Sequence, residues 1–197
     1  MISTAQRRII LILGIAAIVL ALDQFTKHIV LKLLDRGEEK VVLDGFFKFV
    51  NWGNTGAAWS LFKDHNGVLA VVSALALAGL LVWHRHFHIE TLLGRVSLGL
   101  ICGGIAGNLV DRVNPAGNHQ VVDFLRFYLV TRSYNEIGFP AFNVADSAIC
   151  VGVGLLIILS FRLEAVATPQ PARRRDSDSA PAGSPRASEA EKWNGVP

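Results

Sequence analysis

The stretch Ile137 to Phe161, IGFPAFNVADSAICVGVGLLIILSF, decides the fold. Its only charge is Asp146. A helix needs about 20 mostly apolar residues to cross the hydrocarbon layer, with about 17 to 25 as the workable range. The stretch therefore predicts a transmembrane helix. Asp146 falls about nine residues into it, or roughly 13 Å along the axis at 1.5 Å per residue. A charged aspartate at mid-membrane costs about 2.5–3.5 kcal/mol on insertion scales, which makes it a functional candidate. The alternative is a structural aspartate bonded inside a helix bundle.

Three further runs share this character. Ile9 to Leu22 is apolar throughout and continues through Gln24, Phe25 and Thr26. Gly67 to Trp83 and Val96 to Val110 carry no charge, and Arg95 can snorkel outward to lengthen the latter. The composition agrees: 51% hydrophobic and 18% charged residues, against about 25% charged in a typical soluble domain. The expected architecture is an all-α membrane protein, four transmembrane helices with a small strand-rich outer loop region. Arg7 and Arg8 before the first run also suit a cleaved signal peptide. No small-x-small cleavage site follows, however, and the run meets Asp23-Gln24-Phe25-Thr26-Lys27 instead. Cys102 and Cys150 fall inside spans and read as small buried hydrophobes. A net charge of +3 gives no reason to expect a nucleic-acid partner.

Four spans put both termini on one side. Arg7, Arg8, Arg85, Arg95, Arg162 and Arg173 to Arg175 lie there, which marks that side as cytoplasmic. Lys32, Arg36, Lys40, Lys48 and Lys63 in the first outer loop make the bias weak. That loop, about residues 35 to 66, holds Val41-Val42-Leu43 and the aromatic run Phe46 to Trp52. It reads as short strands with a glycine-bearing turn at Gly53, Asn54 and Gly56. The second, about 113 to 136, holds Val121 to Phe124, Phe127 and Tyr128. Trp52, Trp59, Phe62 and Tyr128 suit a headgroup-level belt, with both loops lying on the membrane. The four-span domain is assigned to residues 1–165. Residues 166–197, with Pro169, Pro171, Pro181, Pro185 and three arginines in a row, read as a disordered basic tail.

Asp146 does not stand alone. Asn143 precedes it by three residues, a spacing that places both on one helix face. Asn108 and Asp111 repeat the pattern at the outer end of the third span, and Asp23 ends the first. Arg112 lies beside Asp111, able to neutralise a carboxylate nearby. Gly103 and Gly107 form the small-xxx-small pattern that lets membrane helices approach closely. Carboxylates gathered at a membrane surface suit three chemistries. A pair can share a proton and activate water, a chain can relay protons in a transporter, or a cluster can bind a hard cation. The sequence contains no His-Glu-x-x-His, Gly-x-Ser-x-Gly or phosphate loop. His84, His86 and His88, spaced by two on the cytoplasmic side, read as a solvated basic loop.

Five motifs in order then resemble the lipoprotein signal peptidases, also called signal peptidase II. They are Asp23 to Lys27, Asn54 to Ser60, Gly107 to Arg112, Val121 to Phe124 and Phe142 to Asp146. The resemblance covers about residues 8 to 163. It implies an aspartic endopeptidase of the bacterial cytoplasmic (inner) membrane, working near the outer surface without a metal or other cofactor. The implied substrates are diacylglyceryl-modified prolipoproteins, cut just before the lipidated cysteine, and membrane lipid and globomycin-type inhibitors are the other implied partners. The catalytic pair it implies is Asp123 and Asp146. The supporting positions are Asp23, Asn54, Asn108, Asp111, Arg112 and Asn143. The residues themselves had singled out Asp146 but not Asp123, which reads as an ordinary loop aspartate. A proton-coupled transporter component is the alternative.

Overall fold

A computed structural model describes residues 2–56, 65–133 and 135–167. Helix α1 spans Thr4–Leu33, α2 Asn66–Val82, α3 Leu92–Val113 and α4 Val144–Ala167. Strand β1 spans Glu39–Leu43, β2 Phe47–Asn54, β3 Val121–Val130 and β4 Glu136–Gly138.

Helix α1 starts on a capping box. The Ser3 hydroxyl accepts the Gln6 N–H and the Gln6 side chain accepts the Ser3 N–H. It then runs far beyond the expected Ile9–Leu22, carrying Asp23 and Lys27 within it. Polar residues continue the helix because they face the bundle: Asp23 is 0% and Lys27 2% exposed. Helix α3 is central, packing against α1, α4 and α2. Its glycines make this possible. A Cβ on Gly103 would meet the Ala16 carbonyl oxygen and Val19 Cβ at 2.7 Å, and one on Gly107 would meet Asp23 Oδ2 at 2.6 Å. One on Gly104 would run into Ala145 and Ile149 of α4. The close approach expected of Gly103 and Gly107 is thus a contact with α1.

The outer faces are apolar and open, with Ile10, Ile18 and Phe25 on α1, Leu75 on α2 and Phe161 on α4 all exposed. Buried polar groups lie between the helices instead, the inverse of a soluble bundle. Among the described residues three helices, α1, α3 and the Val144–Leu163 part of α4, are long and apolar enough to cross a membrane. Helix α2, with 17 residues, is a shorter apolar helix.

The last span begins later than its hydropathy suggested. Ile137 and Gly138 belong to β4, not to a helix. Pro140 interrupts the run, since the residue before a proline is turned away from helical geometry, and Asn143 opens α4. Asp146 therefore sits in the first helical turn rather than at mid-membrane.

The two long loops do form strands, but they join in one antiparallel sheet of order β1-β2-β3-β4. The β1–β2 turn uses Gly45 at φ 69°, a left-handed conformation suited to glycine. It is not at Gly53 and Asn54, which belong to β2. Between the pairs Phe49↔Leu125 and Trp52↔Asp123, β2 has one residue more than β3. This bulge accompanies the consecutive burial of Val50 and Asn51, and Asn51 Nδ2 caps the end of α1 by donating to the Leu34 carbonyl at 2.9 Å. Phe124, Val30 and Leu34 pack together, seating the sheet on the end of α1. Lys48 of β2 is an inward amine bridging Glu39 of β1 and Glu136 of β4, and it lies 4.6 Å from the Tyr128 ring centroid. Tyr128, expected at headgroup level, is buried at 3% exposure under the sheet, and its hydroxyl accepts the Gly45 N–H at 3.2 Å. Trp59, Phe62 and the tail from residue 168 lie outside the described residues.

Candidate active site

The sheet brings Asp123 to the open end of the bundle. It is the third residue of β3 and is 4% exposed. Asn54 Nδ2 donates to its Oδ2 at 2.9 Å and Asn143 Nδ2 to its Oδ1 at 2.8 Å. Each amide is held the right way round by a backbone N–H on its own carbonyl oxygen, from Gly56 for Asn54 and from Asp146 for Asn143.

Asn143 and Asp146 do not share a helix face. They form a reciprocal cap: Asp146 N–H donates to Asn143 Oδ1 at 2.9 Å, and Asn143 N–H donates to Asp146 Oδ2 at 3.2 Å. The arrangement follows the logic of a capping box with Asp in the place of Glu. It leaves the Asn143 NH₂ free to reach Asp123. One asparagine thus holds both carboxylates, one by its side chain and one by its backbone. Asp146 Oδ1 takes a further bond of 2.7 Å from Asn108 Nδ2.

Behind this pair lies a buried ionic cluster. Lys27 Nζ contacts Asp23 Oδ2 at 2.8 Å, Asp111 Oδ2 at 2.7 Å and Asn108 Oδ1 at 3.1 Å. Asp23 Oδ1 receives the Ala145 N–H at 2.9 Å, so it also binds the N-terminus of α4, where an anion is favoured. Gln24 Nε2 donates to Asp111 Oδ1 at 2.9 Å. Asp23, Asn54, Asn108, Asp111, Asn143, Asp123 and Asp146 therefore meet in one network. Arg112 behaves differently. It forms no ion pair among the described residues and donates instead to the carbonyls of Asn108 and Gly56, at 3.3 and 3.2 Å.

Lys27 and Gln24 belong to the Asp23–Lys27 motif but are not among the expected site residues. A signal for Lys27 was present: it stands four residues after Asp23, the helical spacing of an ion pair, beyond an apolar run where a lone lysine is costly.

Asp123, Asp146, Asn54, Arg112, Phe139 and Phe142 help line a cavity of about 610 Å³. Burial first, and then the neighbouring Asp146 charge, push Asp123 up to about 7, against the opposing pull of Asn54, Lys27 and Asn143. At neutral pH it is a carboxyl poised to give or take a proton, which is what proton-sharing pairs require. Every oxygen of the two carboxylates meets an amide N–H, and no group of three or more metal-binding side chains occurs among the described residues.

The signal peptidase (SPase) II family profile matches residues 15–162. The lipoprotein signal peptidase of Geobacillus thermodenitrificans is 37% identical over 147 residues, covering 75% of this chain and 87% of that one. That of Symbiobacterium thermophilum is 39% identical over 148 residues, covering 75% and 91%. A solved bacterial membrane enzyme, determined by the in meso method at 2.3 Å resolution, matches with a TM-score of 0.67 at 27% identity, over 82% of this chain and 94% of that one. With a matched profile over most of its length and relatives this similar along nearly their whole chains, the protein belongs to the signal peptidase II family.

Proposed function

We propose that Asp123 and Asp146 are the catalytic pair with which this aspartic protease removes lipoprotein signal peptides. One observation carries the assignment: a single residue, Asn143, binds both carboxylates at the wall of a cavity where the membrane helices end. Asp146, ionised, takes a proton from water while the water oxygen attacks the scissile carbonyl carbon. Asp123, protonated, gives its proton to the carbonyl oxygen. The tetrahedral diol then collapses. Its hydroxyl proton returns to Asp123, the C–N bond breaks, and the proton held by Asp146 goes to the leaving amine. The pair ends as it began.

The substrate in this reading is a diacylglyceryl-modified prolipoprotein, cut just before the lipidated cysteine. Phe139, Phe142 and Ile149 offer an apolar wall for such a chain. Globomycin-type inhibitors occupy the same cavity. Helix α2 is the fourth span, at the lower limit of about 17 residues, so both termini are cytoplasmic and the cavity faces the outer surface of the bacterial inner membrane. The supporting residues orient the pair or face the substrate, Arg112 among them. A proton-coupled transporter is not favoured, because the matched family and its relatives are peptidases.

The test is Asp123→Asn and Asp146→Asn, each nearly isosteric, assayed in detergent on a lipidated prolipoprotein. General acid–base catalysis is worth about 10²–10⁴-fold, so each variant should lose at least that while still inserting and binding globomycin. Cleavage by either at above about a tenth of the parent rate contradicts the assignment.

A further inference from the structure

The Asn108 amide has two chemically different ends, and its neighbours fix which way round it lies. An ammonium group has three donors and no acceptor, and Lys27 Nζ stands 3.1 Å from one end. Asn143 Nδ2 donates to the same atom at 3.2 Å. That end is therefore the carbonyl oxygen. The NH₂ end is turned towards Asp146 Oδ1, 2.7 Å away, and it can only donate. The other oxygen, Oδ2, meets the Asn143 N–H. Both described partners of Asp146 thus suit a carboxylate and not a carboxylic acid. Asp123 also faces two fixed amide donors, so what sets Asp146 apart is the cation behind its amide.

We propose that Lys27 is a positioning residue that locks the Asn108 amide with its NH₂ towards Asp146, and so favours the unprotonated, water-activating form of that carboxylate. The proposal rests on the reading of Asp123 and Asp146 as the catalytic pair. Lys27 itself touches neither carboxylate of that pair. Its side chain is 3% exposed, so bulk water cannot take its place on Asn108 Oδ1. The charged groups acting on the pair are Lys27 and Asp23 from α1 and Arg112 from α3, with Asp111 of α3 behind them on Lys27. Asp23 and Asp111 hold the Lys27 ammonium in place from either side.

Lys27→Met alone leaves two buried carboxylates unopposed, so folding is protected by pairing it with Asp111→Asn. That double variant is compared with Asp111→Asn alone, as full-length chains in detergent with a diacylglyceryl-modified prolipoprotein. The acid limb of the pH dependence of kcat/KM reports protonation of the base. It should move upward by about one pH unit when Lys27 is lost, the low end of the effect of a nearby opposite charge. In an Asn108→Ala background the same loss should move it far less. Where turnover is too slow, the carboxylic-acid C=O stretch of ¹³C-aspartate-labelled protein, assigned by its change in Asp146→Asn, follows the same titration. An unmoved limb or band in folded protein overturns the proposal, since a merely structural lysine predicts that. A shift equally large without Asn108 also overturns it. Failure of the underlying pair would look different: Asp123→Asn or Asp146→Asn would still cleave, whatever the limb did.

Discussion

Asp123→Asn should cost the protein its activity and relieve it of a pH-dependent strain. In the folded chain Asp123 is lifted by burial and by Asp146 from 3.8 up to about 7. Unfolding returns it to the ordinary value. Between those two values the folded protein keeps a proton that the unfolded chain has already released. Stability therefore falls as pH rises through this window, and the loss is complete above about 7. A gap of about three units at 1.36 kcal/mol each amounts to about 4 kcal/mol, of which about 2–3 kcal/mol is lost between about pH 5 and pH 8. Asparagine does not titrate. Its NH₂ would face Asn54 or Asn143, an unmatched donor costing about 1–3 kcal/mol, but that cost is the same at every pH. The quantity to read is thus the change with pH, not the absolute difference. At about 2–4 °C per kcal/mol, the Tm of the variant in detergent should gain about 5–10 °C on the parent between about pH 5 and pH 8. A Tm difference that stays constant across that range would mean that Asp123 does not carry the raised pKa, and the division of labour between the two aspartates would have to be redrawn.

Other expectations follow from single contacts. Gly107→Val sets side-chain carbon against Asp23 Oδ2, where even a Cβ would lie at 2.6 Å, so it should force α1 from α3 and lower both Tm and turnover, while Gly14→Ala, with open space around it, should do neither. EDTA should leave cleavage unchanged, because the proposed chemistry uses two carboxylates and water; inhibition reversed by zinc would contradict it. Removal of residues 168–197 should leave activity within a few-fold of the full chain, and a loss beyond about tenfold at normal expression would make the tail part of the working enzyme.

The helices were legible because apolar runs advertise them, and their ends were not. Hydropathy merges β4 with α4, since Ile137 and Phe139 are as apolar as Ile149; only Pro140 and the capping preference of Asn143 mark the break. Asp146 was singled out for a reason that the structure changes. It stands out as a charge in an apolar run, yet its carboxylate caps a helix end and is bound by donors rather than stranded in lipid. Asp123 could not be found by spacing. Its partners are Asn54, in the other outer loop, and Asn143, on the next helix, and nothing local in Val121-Val122-Asp123-Phe124 encodes them. The strands were legible from β-branched and aromatic residues, whereas the pairing of β2 with β3, which unites the two loops, is a long-range outcome. Lys27 shows the intermediate case, half encoded by Asp23 on its own helix and half by Asp111 on another.

The contacts of Asp123 also bear on when the enzyme comes to life during synthesis. Chains are made and fold from the N-terminus, so α1, the β1–β2 hairpin and α2 exist before the residues that complete the site. Asn54 waits for Asp123, and Asp123 waits for Asn143, which itself is oriented only once α4 has begun. A nascent chain that ends after its third helix therefore holds half a sheet and an unfinished carboxylate network. On the proposed pair, proteolytic competence arrives with the last helix, as a single late event.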